Sequence, residues 1–194
     1  HNLWIVTKVV MELSYISLPA PDLEKSKAFF AKVFGWEVGG GSLGGNVKNT
    51  NTPCGLSPGS TMTNVTHTAI YLNAIDLDTS MEKVKAHGGK VFHHSDNSVG
   101  RSASCEDDQG TQFSLHEANE TIRAHAENPP KGSQAGDLFF FSLPVSDEGK
   151  AKKFFGAVAG WEFGEKGEKG GVGIVNLKGP DGGLGCSREG SRPS

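Results

Sequence analysis

The sequence has little of what marks secreted, membrane-spanning or nucleic-acid-binding proteins. Its three cysteines lie far apart and form no Cys-x-x-Cys pair, so neither a disulfide framework nor a zinc ribbon is indicated. No apolar run approaches the roughly 18 residues of a membrane span. The 19 basic residues do not outnumber the 22 acidic ones, so no basic surplus exists for binding phosphates. We therefore expect a cytoplasmic protein whose partners include neither nucleic acid nor a membrane.

Apolar residues make up only 36% of the chain, whereas glycine is abundant, with 27 of 194 residues. That glycine content is about twice the usual share. Glycine favours turns and bulges, so this composition predicts a fold rich in short strands.

An internal repeat organises the sequence. The stretch from Leu13 to Val38 recurs from Leu138 to Phe163 at a constant offset of 125 residues, with about half of the positions identical and no gap. A more diverged third copy runs from His67 to Gly89. Its Asp76 corresponds to Asp22 of the first copy, at an offset of 54 residues. We number these copies by position in the chain as units one, two and three.

Each unit follows the same local pattern. An alternating strand leads to an aspartate at a helix start (Asp22, Asp76 and Asp147), a short amphipathic helix and a glycine stop. Two or three short strands then follow, so each unit reads as βαβββ. The predicted class is α+β, with units at 11–60 and 61–118 forming one domain over 1–118, a linker at 119–136 and a third unit at 137–194.

These residues resemble the glyoxalase, bleomycin-resistance and extradiol-dioxygenase proteins, known together as the vicinal oxygen chelate superfamily. The resemblance rests on Pro19–Asp22, Phe29–Phe30, Val33–Glu37, Asp76–Gly89 and the later turn Asp108–Gly110. It implies that two units form a complete cup of curled sheet around a small molecule. A third unit would form half a cup.

The resemblance also indicates where metal-using members hold their ion. A first-strand ligand lies seven residues before the helix-capping aspartate, a position that falls here on Tyr15, Ala69 and Phe140. A last-strand glutamate lies four residues after the turn glycine, a position that falls on Ser114. None of these is a usual ligand of a divalent ion in such a site. We therefore expect no metal and no cofactor.

Strand alternation predicts which side chains face the cup. They combine hydroxyl, amide and imidazole groups that can orient a small ligand, although the same groups could instead bond one another or face solvent. The candidate ligand-binding residues are Tyr15, Ser17, His67, Tyr71, Gln112, Ser114 and His116.

Two functions are consistent with this pattern, and the sequence does not decide between them. The first is a metal-free small-molecule binding protein that sequesters a toxic or antibiotic-like compound, with no catalytic residue. The alternative is a lyase, isomerase or dioxygenase-type enzyme. It would use a histidine base, or a non-standard metal site built from His67 and His116 with Glu106 or Glu117.

Three units cannot pair completely within one chain. The third unit would leave an apolar edge around Leu138 and Phe140, and such edges invite pairing. We expect a homodimer through the third unit about a twofold axis. The alternatives are that this unit folds back on the first domain, or that the chain derives from a four-unit parent.

Overall fold

The structure is a computed structural model that describes residues 9–40, 44–58, 68–97, 100–120, 137–138, 140–166 and 171–186. It confirms the α+β class and the repeated βαβββ units. Unit one contains β1 (Leu13–Pro19), α1 (Leu23–Phe34), β2 (Gly45–Asn46) and β3 (Cys54–Ser57). Unit two contains β4 (Ala69–Asn73), α2 (Leu77–Ala86), β5 (Lys90–Asn97), β6 (Gly100–Glu106) and β7 (Gln112–Ala118). Unit three contains β8 (Phe140–Val145), α3 (Glu148–Val158), β9 (Phe163–Lys166), β10 (Gly171–Ile174) and β11 (Asp181–Cys186).

The predicted caps start and stop the helices. Asp22, Asp76 and Asp147 each accept a hydrogen bond from the backbone N–H three residues later, which satisfies a donor that the first helical turn leaves free. Gly35 ends α1 with a φ of 69°, in the left-handed region that glycine adopts without steric cost. None of the described helices is long and apolar enough to cross a membrane.

Units one and two share one seven-stranded sheet, in the order β2-β3-β1-β4-β7-β6-β5. Their first strands, β1 and β4, are antiparallel neighbours at the centre, so the two units join into a single curled sheet. Unit one has less regular strand structure than the sequence indicates. Its β2 has two residues, and a single bridge between Val38 and Val47 stands where a further strand was expected.

Unit three forms a separate four-stranded sheet, in the order β8-β11-β10-β9, and packs against the other two units. Helix α3 contacts α2, and Phe113 of β7 meets Phe154 and Phe155 of α3 edge to face. At the other end, the indole N–H of Trp161 donates to the carbonyl of Met11 at 2.8 Å. Unit three therefore packs against unit two within the chain, and the expected homodimer stays a prediction.

The repeat extends to side-chain packing. Phe30 stacks on Trp36 at 4.8 Å, and their equivalents at an offset of 125, Phe155 and Trp161, stack at 5.0 Å. Both tryptophans are buried, so they serve the core. Their recurrence in the sequence reflects a packing requirement of the unit.

The two equivalent helices differ in what covers them. Phe154 on α3 is 2% exposed because unit two packs on it, whereas its equivalent on α1, Phe29, is 58% exposed. Helix α1 buries no residue fully, although its sequence is as amphipathic as that of α3. Burial of the same aromatic position is thus decided by the neighbouring unit.

This pair of residues gives a matched stability test. We expect Phe154→Ala to lower the free energy of unfolding by about 3 kcal/mol or more, because it leaves a cavity under α3. We expect Phe29→Ala to cost less than about 1 kcal/mol, since that side chain is largely in water already. Urea denaturation of both variants measures the difference, and equal losses would show that α1 is covered in solution.

Candidate functional site

The candidate site lies on the face of the seven-stranded sheet that is turned away from the buried core, which we call the concave face. Buried residues such as Ile16 and Leu115 alternate along β1 and β7 with residues of this face. Strand pairing sets Tyr15 opposite Tyr71, and Tyr71 beside Ser114. Three separate strands therefore bring these predicted residues into one row.

Tyr15 is the most constrained side chain of the row. Its hydroxyl donates a hydrogen bond to Asn46 Oδ1 at 2.9 Å, and its ring meets that of Tyr71 edge to face, with centroids 5.7 Å apart. The hydroxyl lies over Gly55, where a Cβ atom would overlap it. The phenol thus has a defined position, which a ligand-binding group requires to be selective.

Both tyrosines are neutral at physiological pH. Burial raises the pKa of Tyr15 to about 12, with smaller contributions from the nearby Cys54 and Tyr71. Burial also raises the pKa of Tyr71, partly offset by a hydrogen bond with Ser114. The row therefore offers hydroxyl donors and aromatic edges without a negative charge.

The remaining predicted residues extend this row or lie elsewhere. Ser17, two residues after Tyr15 on β1, pairs with Ala69 of β4. His116 of β7 pairs with Asn73 of β4 and with Ser102 of β6. His67 lies outside the described residues. Gln112, at the start of β7, lines a groove between the two sheets.

That groove, with a volume of about 710 Å³, opens on the opposite face of β1 and β4, toward β8. Ile16 and Leu18 line one wall, and their equivalents at an offset of 125, Phe141 and Leu143, line the other. The groove thus lies between two copies of the same strand. Tyr15, Tyr71 and Ser114 do not line it.

Three of the four positions that the resemblance assigns to a metal lie on one face of the seven-stranded sheet, whereas Phe140 lies in the separate sheet of unit three. Tyr15, Ala69 and Ser114 lie on the concave faces of β1, β4 and β7, which are adjacent strands. A phenol, a methyl group and a hydroxyl do not fit a divalent ion, which prefers imidazole and carboxylate ligands in such sites. Among the described residues, no group of three or more His, Cys, Asp or Glu side chains could hold a metal.

Glu106 and Glu117 do not form the non-standard metal site considered above. Glu117 accepts a hydrogen bond from the backbone N–H of Leu77 at 2.7 Å and contacts Arg101, so it is engaged with the start of α2. Glu106 pairs with Lys90 at 2.9 Å. Neither carboxylate is available beside His116.

The two described thiols are also unsuited to chemistry. Cys54 and Cys105 are buried and free, and burial raises the pKa of both, that of Cys105 to about 12. A protonated buried thiol is a poor nucleophile and metal ligand. Both cysteines act as small apolar residues of the strands, as their sequence context indicates.

Two residues that shape the site could not be predicted from the sequence. Asn46 belongs to a two-residue strand inside a stretch rich in Asn, Thr, Pro and Gly, so no periodicity indicated its position. Gly55 lies in β3, and its closeness to Tyr15 depends on a strand pairing that the sequence does not specify.

Comparison with solved structures shows a shared architecture across nearly the whole chain. A catechol 2,3-dioxygenase superposes with a TM-score of 0.65 at 16% identity, covering 95% of this chain and 69% of the other. The chain has the fold of the vicinal oxygen chelate superfamily. A 2,2',3-trihydroxybiphenyl 1,2-dioxygenase from Sphingomonas wittichii strain RW1 superposes with a TM-score of 0.62 at 17% identity. The match covers 96% of this chain and 70% of the other. Homoprotocatechuate 2,3-dioxygenase from Brevibacterium fuscum superposes with a TM-score of 0.64 at 16% identity. The match covers 93% of this chain and 62% of the other.

The likeness to these dioxygenases is confined to the fold. No protein-family model matches the sequence, and no curated protein is similar to it. The dioxygenase structures extend beyond the part that this chain matches, since about a third of each remains uncovered.

Tyrosine ionisation tests the site directly, because Tyr15 and Tyr71 are the only tyrosines of the chain. In an ultraviolet titration of tyrosinate, we expect both groups to ionise above their ordinary pKa of about 10, and Tyr15 near pH 12. The folded state then holds more protons than the unfolded state between those values, so stability falls as pH rises through that range.

The variant Tyr71→Phe isolates the signal of Tyr15. Circular dichroism recorded at each pH shows whether the protein is still folded. Ionisation of Tyr15 near pH 10 in folded protein would contradict its burial against Asn46 and Tyr71.

Proposed function

We propose that this protein is a metal-free binding protein that sequesters a small, flat, uncharged aromatic compound on its concave face. The observation that carries this proposal is the row of Tyr15, Tyr71 and Ser114. Two of its members, Tyr15 and Ser114, occupy positions that the resemblance assigns to metal ligands. A row of this kind can bind and orient a ligand, but it supplies no Lewis acid.

The chemistry of the row supports the ligand class. The neutral phenols of Tyr15 and Tyr71 present ring edges and hydroxyl groups, and β6 continues the row with Ser104 opposite Ser114. Ring edges pack well against another aromatic face, and hydroxyls pair with phenolic or carbonyl oxygens. A toxic or antibiotic-like molecule with a phenolic ring meets these requirements.

The structural neighbours suggest a first probe. Their names describe dioxygenases of catechol and of 2,2',3-trihydroxybiphenyl. Catechol is small, flat and uncharged, so it suits the proposed site without requiring a charged partner. Free Cys54 and Cys105 are compatible with work in the reducing cytoplasm, which we propose as its location.

Binding of catechol can be measured by calorimetry and by thermal shift, with and without EDTA. We expect a higher melting temperature with catechol, because a ligand of the native state stabilises it by mass action. We expect EDTA to leave that shift unchanged. A shift abolished by EDTA, or consumption of catechol with oxygen uptake, would replace this proposal with the enzymatic alternative. Absence of binding to catechol and to a panel of phenolic antibiotics would refute it.

A pair of glycine variants locates the binding site. Gly55→Ala places a methyl group against the Tyr15 hydroxyl and displaces it, so we expect affinity to fall about tenfold, as for the loss of one hydrogen bond. Gly173→Ala is the matched control, since this strand glycine of β10 has open space where a Cβ would lie. Equal affinities in the two variants would place the ligand elsewhere, with the groove beside β8 as the next region to test.

A further inference from the structure

The outer edge of β8 distinguishes unit three from unit one. Strand β1 is paired on both sides, with β3 and β4, whereas its equivalent β8 pairs with β11 alone and ends its sheet. Within the described part of the chain, nothing pairs with the other edge of β8.

The four sheet edges differ in charge and length. Strand β5 carries Lys90 and Asp96, β9 carries Glu165 and Lys166, and β2 has only two residues. Charged or very short strands are the usual protection against edge-to-edge pairing. Strand β8, Phe-Phe-Ser-Leu-Pro-Val, has six residues and no charge, and Phe140 is 49% exposed.

The available backbone groups of β8 follow from its equivalence to β1. The N–H of Ile16 bonds to the carbonyl of Pro53 beside β3, so the neighbouring residues Tyr15 and Ser17 direct their backbone groups toward β4. At an offset of 125, Phe140 and Ser142 direct theirs outward.

The far end of this edge is closed. Pro144 has no N–H, and its carbonyl accepts a hydrogen bond from the Thr111 hydroxyl at 3.2 Å. The open part of the edge is therefore short and centred on Phe141.

The pairing of β1 with β4 shows how two such first strands combine. Ile16 lies opposite Ile70, with Tyr15 opposite Tyr71 and Ser17 opposite Ala69. Because the offset between units one and two is 54, Ile70 is the equivalent of Ile16 itself. A local pseudo-twofold axis thus relates β1 to β4, and it passes between the equivalent residues Ile16 and Ile70.

We propose that β8 pairs antiparallel with β8 of a second copy of this chain, about a twofold axis at Phe141. The register of β1 and β4 then sets Phe140 opposite Ser142 of the second copy, and the two outward hydrogen-bonding positions satisfy each other. An antiparallel strand pair of identical sequence is self-complementary, as a twofold dimer requires.

The dimer would also complete the half cup of unit three. Phe140 and Ser142 are the equivalents of Tyr15 and Ser17, which face the concave side in unit one. Two copies of unit three would then build one further cup from both chains. This inference is independent of the ligand proposed for units one and two.

Sedimentation velocity at micromolar concentration tests the dimer. We expect twice the chain mass of 20.5 kDa for the natural sequence and a monomer for Phe140→Lys, because a charge at an edge opposes pairing. The matched control is Phe92→Lys on β5, where the phenylalanine is 59% exposed on an edge that is already charged. We expect this variant to remain a dimer. A monomeric natural protein, or a dimer that Phe140→Lys leaves intact, would overturn the proposal.

A cysteine pair tests the register. In the double variant Phe140→Cys with Ser142→Cys, paired residues on the two chains have Cα atoms about 5.5 Å apart, within the range of a disulfide. Within one chain the two positions, two residues apart on an extended strand, are about 7 Å apart, too far to bridge. We expect oxidation to link the chains in the double variant and not in Ser142→Cys alone or in the natural sequence. Failure of the double variant to cross-link would overturn this register.

Discussion

The antiparallel joint between β1 and β4 is the contact on which the rest of the molecule depends. It merges two βαβββ units into one sheet and sets Tyr15 against Tyr71. Neither unit alone would bury its central strand on both edges. The paired residues are far apart in sequence. The conformational entropy lost on closing the chain between them is therefore offset only when both units are formed. The site is therefore a property of the pair of units.

The concave face of the shared fold carries a row of neutral side chains in this protein. Burial on a sheet face makes a charged group costly unless it is paired, and here the row holds phenols, a methyl group and hydroxyls. Polar atoms of the row bond to neighbouring side chains, as the hydroxyl of Tyr15 does with Asn46. This neutrality is the basis on which we propose an uncharged ligand.

Unit three shows how one sequence pattern acquires different environments. Phe155 and Trp161 repeat the stacking of Phe30 and Trp36 almost unchanged, because that contact lies within a unit. Phe154 is buried and Phe29 is exposed, because that contact lies between units. The edges differ for the same reason, with β1 paired twice and β8 once. Contacts within the unit are inherited with the repeat, and contacts between units depend on the arrangement.

Local signals in the sequence determined the unit itself. The capping aspartates, Gly35 and the alternating strands each act through hydrogen bonds and dihedral preferences of neighbouring residues, so they could be recognised without coordinates. Alternation likewise placed Tyr15, Tyr71 and Ser114 on one face. Tertiary structure decided the rest: that Asn46 and Gly55 fix Tyr15, that Glu117 turns to α2, and that unit three packs on unit two. These features arise from contacts between residues distant in sequence, whose geometry follows from packing and strand order and leaves no periodic trace in the chain.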